Sequence, residues 1–510
     1  MVSLGLDLPV QRGELVLKRP LLGAASVALA LSLAQGVNTA LAEPAALAWE
    51  PCGDLQGECT TVEVPIDWNN PQGAKTDIAI GRLPATDPQN RIGVLFVAPG
   101  GPGASGIDFY VEGKDPLQDG ELRKRFDIVS WDQRGVKRSS EIRCSAELFA
   151  QKPTSFPASE QEYQDLRAYN EKLGEDCRNN SGPVFDFVDT TSVVRDLDAI
   201  RAALGEEQLS FYGASYGTQV GQQYAELFPE RVRAMTIDSN MDHSMESGGR
   251  YIETTTEDQE GAFNEFADWC ARTKNCPLYG QDVRAVWDDL HAKAEAGTLI
   301  DPATGKPLNA DSLRRELKAA MYAPEERWYP LVDRLKALSE GKPGIAAQAA
   351  RDELAQNSYQ AIWCDDWSWK VRDFAELQSY REQAEKVAPH TKISPFWSDV
   401  TSCLGWPGEV SNPQHELSID GAPPILIVKA RYDVATPNAW NLTVADQIDN
   451  SVLLNYDGIG HGQYYHSPCV NQHIESYLTT LETPAPGTTC EAVWPTEPGA
   501  PSATPATRPT

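Results

Sequence analysis

Positive charge is scarce in this chain of 510 residues. Lys and Arg number 44 against 73 Asp and Glu, a formal net charge of −29. Nucleic-acid binding needs a basic face, so this balance argues against nucleic acid as a partner. An acidic surface serves solubility first. Histidine is sparse too, with seven in all. None stands at zinc-finger spacing, and no Cys-x-x-Cys pair occurs, so no metal site is expected and no cofactor is implied. Long apolar runs are also missing. The longest, "PLLGAASVALALSLAQG", is about fifteen residues, short of the ~20 that a membrane span needs. No internal repeat is visible.

What precedes and follows that run is informative. Arg12, Lys18 and Arg19 come before it, and "TALA", ending at Ala42, comes after it. Basic, apolar and small-residue regions in that order describe a secretory signal peptide over 1–42, with an uncleaved anchor as the alternative. The pair before the run is Lys-Arg, which points to the general export route rather than the twin-arginine one. No lipid-attachment box precedes Cys52. All ten cysteines follow Ala42. Export with an even count implies disulfides. Short loops close with less entropy loss, so sequential pairing is expected: Cys52–Cys59, Cys144–Cys177, Cys270–Cys276, Cys364–Cys403 and Cys469–Cys490. A secreted, extracellular protein follows, with no membrane span once the signal is removed.

Apolar runs with glycine-rich exits recur: "IGVLFVAPGGPG", "FDIVSWDQRG", "LSFYGASYG" and "RAMTIDSN". Helical patterns such as "VVRDLDAIRAAL", Val193 to Leu204, lie between them. Strand–helix alternation predicts an α/β fold with a mainly parallel sheet. Residues 244–415 are rich in Trp, Glu, Ala and Arg with helical spacing. "PPILIVKARYD" and "SVLLNYDGIGHG" then restore the strand pattern. The expected organisation is a core over 43–243, a helical lid insertion over 244–415 and a second core part over 416–483. A Pro/Thr-rich, disordered tail is expected over 484–510.

One serine stands out. In "LSFYGASYGTQV", Leu209–Tyr212 reads as a strand and Thr218–Phe228 as a helix halted by Pro229, with Ser215 at the joint. Gly-x-Ser-x-Gly between strand and helix is the setting of a nucleophile elbow. The turn is strained, and side chains at 213 and 217 would collide with neighbouring elements. The N–H of Tyr216 sits at a helix N-terminus that favours negative charge. A hydroxyl nucleophile needs a base, and a histidine base needs an acid to orient it. His461, between Gly460 and Gly462, is the candidate base. Asp433, beyond the strand "ILIVKARY", is the candidate acid, with Asp457 as competitor. His243, His291, His390 and His415 precede the acid, while His466 and His473 fall in or near the last helical segment. "APGGPGASG" supplies a loop for the second oxyanion donor. Gly100 and Gly101 are placed there, Gly101 being the donor, and Pro102 has no N–H to offer.

Taken in order, "GGPG", "WDQRG", "GASYG", "ARYDVATP" and "GIGHG" resemble secreted α/β-hydrolase peptidases of the proline iminopeptidase and tripeptidyl aminopeptidase group of actinobacteria. The resemblance spans most of the mature chain. The segment from about 420 to 490 is similar to the C-terminal region typical of the tripeptidyl members. It implies that Ser215 is the nucleophile, His461 the general base and acid, and Asp433 its orienting partner. Gly100 and Gly101 match the family's oxyanion loop. The histidine often found before that loop in proline iminopeptidases is absent, with Pro99 in its place, which favours the tripeptidyl branch. Asp132 and Arg134 of "WDQRG" are expected to form a structural ion pair near the site.

An exopeptidase that counts from a free amino end needs a carboxylate for the ammonium. Asp365 and Asp366, set among three tryptophans in "IWCDDWSW", are the candidates on the lid; the alternative is an acidic helix face over a Trp core. The expected function is a secreted serine aminopeptidase acting on peptides with free N-termini and releasing short peptides. A carboxylic-ester hydrolase on the same triad stays open, as does a surface binding protein with an idle triad. The tail admits either cell-wall association or a simple free end.

Overall fold

Apolar runs such as "VLFVA" and "ILIV" become strands of one sheet that are buried on both faces, which is why they do not alternate with polar residues. The computed structural model describes residues 47–52, 57–112, 117, 120–342 and 354–496. The expected signal segment, and the tail beyond 496, lie outside the described residues.

Ten strands form one sheet. They are β1 (Glu50–Cys52), β2 (Gly57–Pro65), β3 (Lys75–Leu83), β4 (Gly93–Ala98), β5 (Phe126–Trp131), β6 (Leu209–Ala214), β7 (Val232–Asp238), β8 (Ile425–Tyr432), β9 (Ser451–Ile459) and β10 (Thr489–Cys490). Their spatial order is β1-β2-β3-β5-β4-β6-β7-β8-β9-β10. β1, β2, β3 and β5 pair antiparallel. From β5 to β10 every pairing is parallel. This is the α/β-hydrolase sheet that the strand–helix alternation predicted.

Side chains on alternate strand positions separate the two faces. Phe96, Phe211, Ile237 and Ile427 meet Val193, Leu197, Val220 and Tyr224 on one side. The last four come from helices Thr190–Ala203 and Tyr216–Leu227. Leu95, Val97, Tyr212 and Leu426 meet Ile107, Val470 and Ile474 on the other. The 190–203 helix starts where the Asp189 carboxylate accepts the N–H of Ser192 at 2.9 Å, an N-cap.

β7 and β8 are adjacent and parallel, with Met235 opposite Ile425. The chain between them is mainly helical, including Gly248–Arg272, Ala310–Met321, Pro324–Glu340 and Ser358–Asp366. Two clusters hold these helices. Phe263, Phe266, Trp269, Trp287 and Trp328 form one. Tyr251, Trp363, Trp367, Trp369, Trp397 and Trp440 form the other. Trp363, Trp367 and Trp369 stack in series, with ring centres 4.8 and 4.9 Å apart. The tryptophans of "IWCDDWSW" therefore pack on one another and build a core.

All five sequential disulfides are present. Cys469–Cys490 corrects one boundary. The tail was expected to be disordered from 484, yet 484–496 is described and Thr489–Cys490 pairs with β9 at Asn455 and Tyr456. The disulfide and two backbone registers hold a segment whose composition alone suggests disorder.

The expected Asp132–Arg134 pair is also corrected. Arg134 is fully buried and meets Asp196 through two hydrogen bonds of 2.6 and 2.7 Å. Its remaining N–H groups donate to the carbonyls of Pro65, Ile66 and Phe187. Asp132 accepts instead from Arg138 at 3.0 Å and from the Ser105 hydroxyl. Asp196 and three carbonyls take every N–H of the Arg134 guanidinium, and Arg138 and Ser105 take the Asp132 carboxylate, so nothing is left for the two to share. Arg134→Met should cost about 3–5 kcal/mol, because it strands the Asp196 carboxylate in the core. Urea unfolding checks this; a loss under 1 kcal/mol would mean that Asp196 finds another partner.

Candidate active site

β6 ends at Ala214 and the next helix begins at Tyr216. Ser215 between them has φ 58° and ψ −127°, a conformation that L-residues rarely hold. Close backbone approach requires the flanking glycines. A Cβ on Gly213 would lie 2.4 Å from the Gly217 carbonyl oxygen, and one on Gly217 would lie 2.4 Å from that of Ala98. From Leu209 to Ala225 every residue except Ser215 is buried. The turn thus presents one hydroxyl from a closed core.

The loop after β4 passes directly over that hydroxyl. A Cβ on Gly100 would stand 2.8 Å from Ser215 Cβ and 3.1 Å from its Oγ. Gly101 has φ +112°, open to glycine alone at no cost. Ser215, His461, Gly100 and Gly101 line one cavity of about 680 Å³. Tyr216 is the first residue of the helix that follows Ser215, and its side chain is fully buried.

His461 follows β9, and Asp433 follows β8. His461 Nδ1 lies 2.9 Å from both carboxylate oxygens of Asp433. Asp433 is buried, and it also accepts from the N–H groups of Ala435 and Thr436 and from the Thr436 hydroxyl. Burial opposes its charge. The His461 ring and the two backbone donors outweigh burial and hold the carboxyl below the ordinary aspartate range. The competitor, Asp457, is exposed on β9.

Helices between β7 and β8 reach into this arrangement. His461 N–H donates to the Tyr322 carbonyl, and the two rings meet edge to face at 4.9 Å. Asp258 accepts the N–H groups of Asp433 and Asn438 at 3.1 and 3.0 Å. His466 pairs with Glu325 through Nδ1 and with the His461 carbonyl through Nε2. Two acceptors on the two ring nitrogens call for the imidazolium. Burial works against that charge, but Glu325 wins and raises the pKa of His466. None of these four residues forms a local motif. The one local signal is in "DVAT", where an aspartate caps the N–H groups two and three residues ahead.

Asp365 and Asp366 do not line the cavity, which corrects their expected role. Asp366 is fully buried beneath the serine turn. It accepts from Thr190 N–H and Oγ1 at 2.8 and 2.5 Å and from Asn412 Nδ2 at 2.8 Å. Thr190 Oγ1 is in turn 2.6 Å from the Tyr216 hydroxyl. Asp366 therefore braces the helix behind Ser215. Asp365 accepts from Ser411 N–H at 3.2 Å, on a separate depression.

The acid in the cavity wall is Asp399. It is 4% exposed and accepts from the hydroxyls of Tyr251 at 2.7 Å and Tyr359 at 3.0 Å. Burial pushes its carboxyl up to about 6, against those hydroxyls and the charge of Lys318. It makes no ion pair among the described residues.

A partly exposed serine at a strand-to-helix turn, a His–Asp pair on later loops and this sheet order define an α/β hydrolase of the serine type. Residues 388–490 match the family of TAP-like proteins. The chain is 30% identical over 484 residues to tripeptidyl aminopeptidase of Streptomyces lividans, covering 89% of this chain and 88% of that one. It is 29% identical over 529 residues to serine protease Hip1 of Mycobacterium tuberculosis, covering 94% and 99%. It is also 29% identical over 471 residues to carboxylesterase B of M. tuberculosis, covering 85% and 86%. The chain belongs to the tripeptidyl aminopeptidase family of serine hydrolases.

The placement of Asp365 has a measurable consequence. Burial first, then the charge of Asp189, push its carboxyl up to about 7. Between pH ~4 and ~7 the folded protein keeps a proton that the unfolded chain has released, so stability falls as pH rises through that window. Asp365→Asn removes the titration. Its melting temperature should exceed the parent's at pH 8, with the advantage gone at pH 4. An advantage only at pH 4 would contradict the placement.

Proposed function

We propose that this protein is a secreted serine exopeptidase that releases short peptides, tripeptides foremost, from free N-termini. Ser215 Oγ attacks the scissile carbonyl and His461 Nε2 takes its proton. Asp433 holds the imidazole by Nδ1–H and stabilises the imidazolium. The N–H groups of Gly101 and Tyr216 receive the oxyanion. His461 then protonates the leaving amine, and water resolves the acyl-enzyme by the same route in reverse. In this reading 1–42 directs export and 244–415 is the lid.

The observation that carries the amine requirement is Asp399, a buried carboxylate in the same cavity as Ser215. Its contacts are two neutral hydroxyls, so its charge is free to meet a substrate ammonium. A fixed distance from that anchor to Ser215 sets where the chain is cut. Relatives named tripeptidyl aminopeptidase support three residues as the unit released. A relative named carboxylesterase B favours a second reading, ester hydrolysis on the same residues.

The test compares Ala-Ala-Ala p-nitroanilide with its N-acetyl form and with a short acyl ester. Acetylation should lower kcat/KM about a hundredfold, the scale of a lost desolvated ion pair. Asp399→Asn should lower kcat/KM for the free peptide on a similar scale. Equal turnover of free and acetylated peptide would remove amine recognition, and turnover of the ester alone would select the esterase reading. The pH dependence has a definite sign. Asp399 titrates near 6, so it is charged above that pH and neutral below it. KM for the free peptide should rise as pH falls through about 6, and the Asp399→Asn variant should lack that rise.

A further inference from the structure

The cavity inverts the charge of the chain around it. The protein carries −29 overall, yet the charged residues in the cavity wall, histidines aside, are Arg315, Lys318 and Arg327 against Asp399 alone. Arg315 and Lys318 lie three apart on the helix Ala310–Met321, so they share one face of it.

Lys318 is the unusual member. Its ammonium sits 4.1 Å from the centre of the Phe396 ring and 5.9 Å from that of Tyr322. It makes no ion pair and no hydrogen bond among the described residues. Burial lowers its pKa, and Asp399 is the first of the charges that oppose this. Aromatic faces offset part of the cost of desolvating an ammonium but leave all three N–H donors unused. Arg315 differs, since its Nε donates to Asp311 at 2.9 Å, and Arg327 donates to the Ala319 carbonyl. The cavity therefore holds one carboxylate and one ammonium that are not paired with each other.

We propose that Lys318 is a specificity-determining residue that receives the side-chain carboxylate of an aspartate or glutamate in the peptide segment bound in the cavity. This rests on the aminopeptidase reading, in which Asp399 takes the substrate's ammonium. A segment with a free amine and an acidic side chain then matches both charges of the wall. Arg315, one turn away, adds attraction over a longer range.

The experiment places Glu, and separately Gln, at each of the three positions of Ala-Ala-Ala p-nitroanilide and measures kcat/KM. Anilides have no C-terminal carboxylate, so the Glu/Gln ratio reports the side chain alone. The wild-type enzyme should favour Glu about tenfold at one position at least, as one charge-assisted hydrogen bond supplies. Lys318→Met should bring that ratio near one, and Lys318→Arg should keep it. A wild-type ratio near one at every position, or a Glu preference that survives in Lys318→Met, overturns the inference while leaving the aminopeptidase reading intact. Loss of turnover on all the peptides by the wild-type enzyme removes that reading and this inference together.

Discussion

A serine held at φ 58° and ψ −127° is the constraint on which the rest of this structure depends. Such a conformation costs of order 1–3 kcal/mol and persists only when its surroundings over-determine it. Here the surroundings do so by proximity. The Ser215 N–H donates to the Asp238 carbonyl on the neighbouring strand, while Gly213, Gly217 and Gly100 allow three backbone segments to close around the turn. The parallel strands end together, so the loops after β4, β6, β8 and β9 bring Gly100 and Gly101, Ser215, Asp433 and His461 to one edge of the sheet. Sites at the carboxyl ends of parallel strands follow from this geometry.

The helices between β7 and β8 meet that edge through charged groups. Asp258 accepts two N–H groups from the Asp433 loop, Glu325 holds His466 against the His461 carbonyl, and Asp366 braces Tyr216 through Thr190. Buried charges rarely add to net stability, because desolvation offsets what the contact contributes. Their effect is positional. Each ties a helix remote in sequence to Asp433, to His461 or to Tyr216 beside Ser215, so the geometry of the site depends on helices that hold none of the residues Ser215, His461 and Asp433. The same helices also supply the cavity's opposite charges, Asp399 and Lys318, at positions that do not neutralise each other.

The α/β-hydrolase sheet, and the positions of Ser215, Asp433 and His461 just beyond its strands, were legible because each is written locally. Gly-x-Ser-x-Gly follows an apolar run, and His461 sits between glycines. Cysteine pairing was legible for a related reason, since every disulfide joins neighbours in the order of cysteines. The wall of the cavity was not. "IWCDDWSW" looks like an acid in an aromatic box, but its tryptophans stack into a core and Asp366 turns beneath the serine. Asp399, in the unremarkable "WSDVTSC", reaches the cavity only because Tyr251 and Tyr359, from two other helices, converge on it. Lys318 has no local signature either. Arg134 misleads in the same way, for its partner Asp196 lies 62 residues away.

In the proposed mechanism the strained turn, the His–Asp pair and the glycine loop make one serine of this chain a nucleophile. Stoichiometric treatment with a fluorophosphonate, followed by peptide mass spectrometry, tests it most directly. A single adduct is expected, on the peptide that carries Ser215. A protein that resists the reagent, or an adduct on any other serine, would contradict it.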